Sequence, residues 1–225
     1  MDRALASEAG CESSSLSRGI FIKTEEVSLV NPGKMIEIRL HGRGGQGAVT
    51  SAEILSEAAI SEGKYAQAFP SFGPERRGAP VQAFVRISAD QRIRNRSSIT
   101  TPDVVVVQDP SLLSSIDVAA GLKSGGIVII NTTKTAERIH QEFNIKARIA
   151  TIGAAKIAME LLGVNIVNTT MIGAILKVTE IVKMESLIPP IMSRFGKNGE
   201  KNVAAFKRAY AETIIEEMSV GKISR

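Results

Sequence analysis

MIEIRLHGRGGQGAVTSAEILSEAAISEG, residues 35–63, decides the fold. Residues 35–40 alternate apolar and polar side chains with the period of a strand, and residues 41–47 then place four glycines in seven positions. Beyond them Ala48, Ala52, Leu55, Ala58 and Ala59 return at helical spacing, so the glycines stand where a strand becomes a helix. Such a junction receives anions. The first backbone N–H groups of a helix have no internal partners, the macrodipole places about half a positive charge there, and glycine lets a phosphate approach the bare backbone.

The pattern Gly42-Arg43-Gly44-Gly45-Gln46-Gly47 satisfies the spacing of a dinucleotide fingerprint, but that motif also needs an acidic residue about 20 positions further on. Residues 65–72 hold none, and the Ala48-Val49 that follows Gly47 excludes a phosphate loop ending in Gly-Lys-Ser/Thr. A tight turn without any ligand remains the alternative.

Further along, residues 65–69 and 81–87 read as strands. The stretch between them, PSFGPERRGAP at 70–80, is too rich in proline and glycine for regular structure, and it crowds Glu75, Arg76 and Arg77 together. Paired arginines on a stiff loop suit a phosphate, a carboxylate or an acidic partner, unless the loop is only solvated. Arg92, Arg94 and Arg96 read as the solvated end of a hairpin.

DVVVVQ (103–108) and GIVIIN (126–131) are unbroken β-branched runs, which mark strands buried on both faces of a parallel sheet. A helical crossover is expected over 110–122, another strand over 145–150, and a helix over 154–162. Gly42, Asn131, Thr132 and Thr151 then fall on the carboxyl edge, where open α/β sheets bind ligands. The last third reads as a buried helix over 171–182 with Asn168 or Thr169 as its cap, a stop at Pro189-Pro190, and an amphipathic helix over 200–218. The expected architecture is an α/β, three-layer, Rossmann-like domain over residues 35–225, with a mainly parallel sheet flanked by helices. Residues 1–34 read as a flexible tail: Ser-rich, weakly periodic, and carrying four basic against five acidic groups.

Composition narrows the chemistry. The one cysteine, Cys11, makes neither an internal disulfide nor a four-cysteine cluster site, and the two histidines, His41 and His140, fall in separate elements, so no metal site is expected. The formal charge of +5 is spread along the chain, with two Tyr, seven Phe and no Trp to stack on bases, which argues against nucleic acid. With no apolar run of membrane-spanning length and no signal pattern, a cytoplasmic location and no membrane partner are expected.

The glycine motif together with FGPERRGAPV at 72–81 resembles the gamma subunit of the 2-oxoacid:ferredoxin oxidoreductases. The resemblance runs from residue 35 to about residue 210, taking in TPD at 101–103, NTTMIGA at 168–174 and AFKRAY at 205–210. The RRGAPV form is similar to that of the pyruvate or ketoisovalerate type. The resemblance implies a complex that decarboxylates a 2-oxoacid oxidatively, forming acyl-CoA and carbon dioxide and reducing ferredoxin. It also implies thiamine diphosphate and 4Fe–4S clusters on thiamine-binding and ferredoxin-like partner subunits. This chain is then a non-catalytic member of a hetero-oligomer that helps bind coenzyme A as co-substrate. The anion-receiving residues expected for CoA are Gly42, Arg43, Gly44, Gly45, Gln46 and Gly47, with Glu75, Arg76 and Arg77. The alternative is a stand-alone nucleotide- or CoA-binding module.

Overall fold

The structure is a computed structural model that describes residues 35–71 and 78–216. The expected tail at 1–34, the cluster Glu75, Arg76 and Arg77, and residues 217–218 lie outside the described residues; the helix expected over 200–218 ends at Glu212, and Ile214–Ile215 form a strand instead.

Seven strands form one sheet in the order β2-β3-β1-β4-β5-β6-β7. Its centre is parallel: β1 (Ile36–Arg43), β4 (Val104–Val107), β5 (Ile127–Asn131) and β6 (Arg148–Ile152) run the same way. Antiparallel strands extend both sides, β2 (Tyr65–Pro70) and β3 (Pro80–Ser88) beside β1, and the short β7 (Ile214–Ile215) beside β6. Every residue of β4 and β5 is buried, as their unbroken apolar runs require.

One face of the sheet carries α1 (Ala48–Ser61), α3 (Ala154–Leu162), α4 (Asn168–Thr179), α5 (Met184–Phe195) and α6 (Gly199–Glu212), packed around Leu40, Ile54, Leu55, Ile175 and Phe206. The other face is covered over β4, β5 and β6 by α2 (Ala136–Phe143), through Ile139, and by Val118 from the β4–β5 connection. The three expected layers are present.

Several local expectations are corrected. Asn168 and Thr169 do not cap α4: its N-cap is Val167, and both residues lie inside the helix. The crossover over 110–122 is no helix but a 3-10 turn, Pro110–Ser114, followed by loop. Its serines and aspartates bond locally instead: Asp109 accepts from the Ser111 N–H (3.0 Å) and Asp117 from the Ala119 N–H (3.1 Å). Pro189 and Pro190 do not stop a helix; they lie within α5, which Leu187 and Ile191 anchor in the core, and the preceding helix already ends at Thr179, with Glu180 in the left-handed region at φ 46°. Arg92, Arg94 and Arg96 are not a hairpin end, because the chain after β3 runs irregularly to β4.

Candidate functional site

From β1 the chain leaves in one direction through α1 to β2 and β3, while β4 pairs with the other edge of β1. The carboxyl ends of β1 and β4 therefore face a crevice at a topological switch point, the place where open α/β sheets take ligands. The glycine stretch lies there. β1 continues through Gly42 and Arg43, and α1 begins at Ala48 with Gly47 as its N-cap, left-handed at φ 80°.

The loop is locked by its own polar groups. The Arg43 N–H donates to Gln46 Oε1 (2.8 Å), and Gln46 Nε2 donates to Asp109 Oδ2 (3.0 Å). Arg43 Nε donates to the same Asp109 oxygen (3.1 Å), Nη1 to Gly78 O (3.0 Å) and Nη2 to Ser111 Oγ (2.8 Å). Burial alone raises the Asp109 carboxyl, but hydrogen bonds from Ser111 and Gln46 and the charge of Arg43 outweigh it and hold the group below the ordinary carboxylate range. Arg43 and Asp109 thus cancel each other's charge. The amides of Gly47, Ala48 and Val49 donate to nothing among the described residues, and no side chain among them caps the helix.

Two carboxamides that the motif does not contain complete the site. Asn168, at the start of α4 and 4% exposed, stands so close that a Cβ on Gly47 would lie 2.9 Å from its Nδ2. Its Oδ1 accepts from the Thr169 N–H (2.8 Å), and its backbone carbonyl accepts from Ser51 Oγ (3.1 Å). Gln108, at the end of β4 and 1% exposed, reaches Ser51 Oγ through Nε2 (3.3 Å) and leaves Oε1 without a partner against Gly42. Asn168 is singled out in the sequence only as a cap candidate and as the start of the NTTMIGA stretch, and Gln108 not at all, because their places beside the glycines depend on elements that meet only in the fold.

A cavity of about 350 Å³ opens beside the loop, lined by Gln46, Gln108, Asp109, Asn131, Lys156 and Asn165. It adjoins a second of about 560 Å³ that shares Thr132, Thr133, Gly153 and Lys156. Asn131 braces the floor, donating to Gln108 O (2.9 Å) and accepting from the Ala155 N–H (3.0 Å). Asn131, Thr132 and Gly42 therefore do reach one edge, and Thr151 lines the second cavity. His41 points elsewhere, into the opposite face, where its Nε2 accepts from Arg39 Nε (3.0 Å). Among the described residues no three His, Cys, Asp or Glu side chains gather as a metal site. No helix among them is long and apolar enough to cross a membrane.

The sequence model of the family described as pyruvate ferredoxin/flavodoxin oxidoreductase matches residues 37–212. The pyruvate/ketoisovalerate oxidoreductases common subunit gamma of Thermococcus litoralis is 55% identical over 186 residues, 82% of this chain and 100% of that protein. The pyruvate synthase subunit PorC of Methanocaldococcus jannaschii is 52% identical over 181 residues, 80% of this chain and 98% of that protein. Among solved structures, the pyruvate oxidoreductase subunit PORC of Thermotoga maritima superposes with a TM-score of 0.73 at 38% identity, covering 82% of this chain and 99% of that one.

Proposed function

The chain belongs to the pyruvate ferredoxin/flavodoxin oxidoreductase family, and from that premise we propose that it is the gamma subunit of a cytoplasmic pyruvate-type complex and receives coenzyme A for it. The observation that carries the reading is the match along the whole length of a gamma subunit, with the glycine stretch set at a switch-point crevice. Relatives named for pyruvate and ketoisovalerate support the substrate class. The complex decarboxylates the 2-oxoacid, passes the acyl group to the CoA thiol, and sends the electrons to ferredoxin.

In this reading thiamine diphosphate and 4Fe–4S clusters, held by thiamine-binding and ferredoxin-like partners, supply the carbanion and electron chemistry. The present chain binds and orients. The free amides of Gly47, Ala48 and Val49 face a CoA phosphate, while Gln46 and Asp109 hold the glycine loop open for it. Arg43 keeps the loop in shape and adds little net charge, being paired with Asp109. Glu75, Arg76 and Arg77 are proposed as a second contact for phosphate, on their sequence alone.

The test is reconstitution. Purified alone, the chain is expected to reduce no viologen dye; mixed with the other subunits of its complex, it restores reduction that depends on both pyruvate and CoA. Dye reduction by the isolated chain, or a fully active complex that lacks it, would refute the role.

A further inference from the structure

The wing of the sheet formed by β2 and β3 is covered unequally. α1 packs on the face that carries Ala66, Ala68, Val85 and Ile87, whereas on the opposite face Phe84, Arg86 and Ser88 of β3 are buried, Gln67, Phe69 and Gln82 are half-buried, and Tyr65 at the start of β2 is 40% exposed. Across that face runs the irregular segment 91–98, held by its backbone: Asn95 O accepts from Arg86 Nη1 (3.1 Å), and Arg86 is itself 3% exposed and paired with Glu37 (2.9 Å). With the Gln67 amide turned to satisfy both its ends, it donates to the same Asn95 carbonyl (2.7 Å) and accepts from Arg96 Nε (2.9 Å).

Along this tethered segment Arg92, Arg94 and Arg96 alternate with Ile93 and Asn95, and all three arginines are exposed while Ile93 is half-buried. No carboxylate comes within ion-pair distance of any of them among the described residues; the arginines that do pair are 43, 86, 138, 194 and 208. The nearest acid along the chain is Asp90, engaged by Ser88 Oγ (3.3 Å). Three guanidinium groups against one carboxylate, on a backbone fixed by a buried arginine, form an exposed row in which Arg96 Nε alone has a partner among the described residues, the Gln67 amide. Elsewhere on the surface, exposed arginines such as Arg138 and Arg194 find carboxylates of this chain.

We propose that Arg92, Arg94 and Arg96, with the exposed Tyr65 of β2, form the docking surface for a carboxylate-rich face of another subunit of the complex. Planar guanidinium groups match carboxylates two bonds at a time, and a like-signed row steers an acidic partner before contact. The inference rests on the hetero-oligomeric reading above.

The experiment follows association of the full chain with the remaining subunits of the complex, prepared without it, as a function of salt. Replacing all three residues (Arg92→Gln, Arg94→Gln, Arg96→Gln) is expected to slow association roughly tenfold at low salt and to flatten its salt dependence. The corresponding Arg→Lys triple variant, which keeps the charge, restores the association rate and dissociates faster. A Gln triple variant with unaltered rate and salt slope, or a Lys variant as slow as the Gln one, overturns the proposal while leaving the subunit assignment standing. If the unsubstituted chain does not associate at all, the assignment fails and the proposal with it. A short DNA duplex is the second probe: binding to it that needs the arginines, with subunit association unchanged, assigns the row to nucleic acid and overturns the proposal as well.

Discussion

Replacing Gly173 by alanine should cost about 3 kcal/mol of stability, because overpacking a core costs 1–3 kcal/mol even where side chains are free to shift. Here they are not what is met. A Cβ at this position would lie 2.3 Å from Phe206 O, 2.8 Å from Tyr210 N and 3.0 Å from Ala209 Cβ, so the obstacle is the backbone of α6 itself. α4 and α6 must move apart to admit one methyl group, opening the packing of Ile172, Ile175, Ala205 and Phe206. The movement reaches the crevice, since α4 starts at Asn168, whose side chain stands against Gly47. Urea unfolding of the isolated chain measures the loss; a variant within about 0.5 kcal/mol of the unsubstituted protein would show that the two helices yield freely. Gly173 belongs to the NTTMIGA stretch, so part of that stretch serves helix contact and not a ligand.

Acid should weaken the fold by a similar amount through one residue. Burial first, and the neighbouring Arg39 charge second, lower the pKa of His41 from 6.5 to about 4. Because Arg39 Nε donates to Nε2, the neutral ring carries its proton on Nδ1, which is buried without a partner. Arg39 is fixed in turn by the carbonyls of Val118 (2.9 Å) and Ala120 (2.7 Å), so it does not retreat when the ring becomes charged. The folded state holds His41 neutral down to about pH 4, whereas the unfolded chain takes up the proton near pH 6.5. The unfolded state therefore binds more protons between these values. Stability from this group is complete above pH 6.5 and falls as the pH drops to about 4, by about 3 kcal/mol in all. Comparing urea midpoints across that range in the protein and in His41→Gln isolates this share from the carboxylates. Equal pH dependence in the two would show that His41 titrates normally.

The sequence declared its central strands plainly and its cross-chain contacts not at all. Val104–Val107 and Ile127–Asn131 were legible because a parallel strand buried on both faces admits only apolar residues. The span of α3 was legible at 154–162, as was the start of α1 directly after the glycines. The antiparallel sense of β2, β3 and β7 carries no composition signal, and β7 lies within the span read as the last helix. Pro189 and Pro190 misled because local propensity yields to tertiary anchoring at Leu187 and Ile191. In the candidate site, Gly42 to Gly47 were readable as a motif, but their partners came from 63 to 121 positions away: Asp109 through Gln46 and Arg43, Gln108 through Gly42, and Asn168 through Gly47. Only the fold brings those side chains to the loop.

Steady-state kinetics of the reassembled complex carrying Gly44→Val tests the role of the glycine loop most directly. Gly44 is not among the glycines with positive φ, so a β-branched residue meets no φ penalty there, and its N–H and carbonyl bond to Ala79 O (2.9 Å) and Gly78 N (3.2 Å). If the loop receives CoA, the KM for CoA rises about tenfold or more while the KM for the 2-oxoacid stays unchanged. A complex that assembles normally with unaltered CoA dependence would contradict this and leave Gly42 to Gly47 as a structural turn.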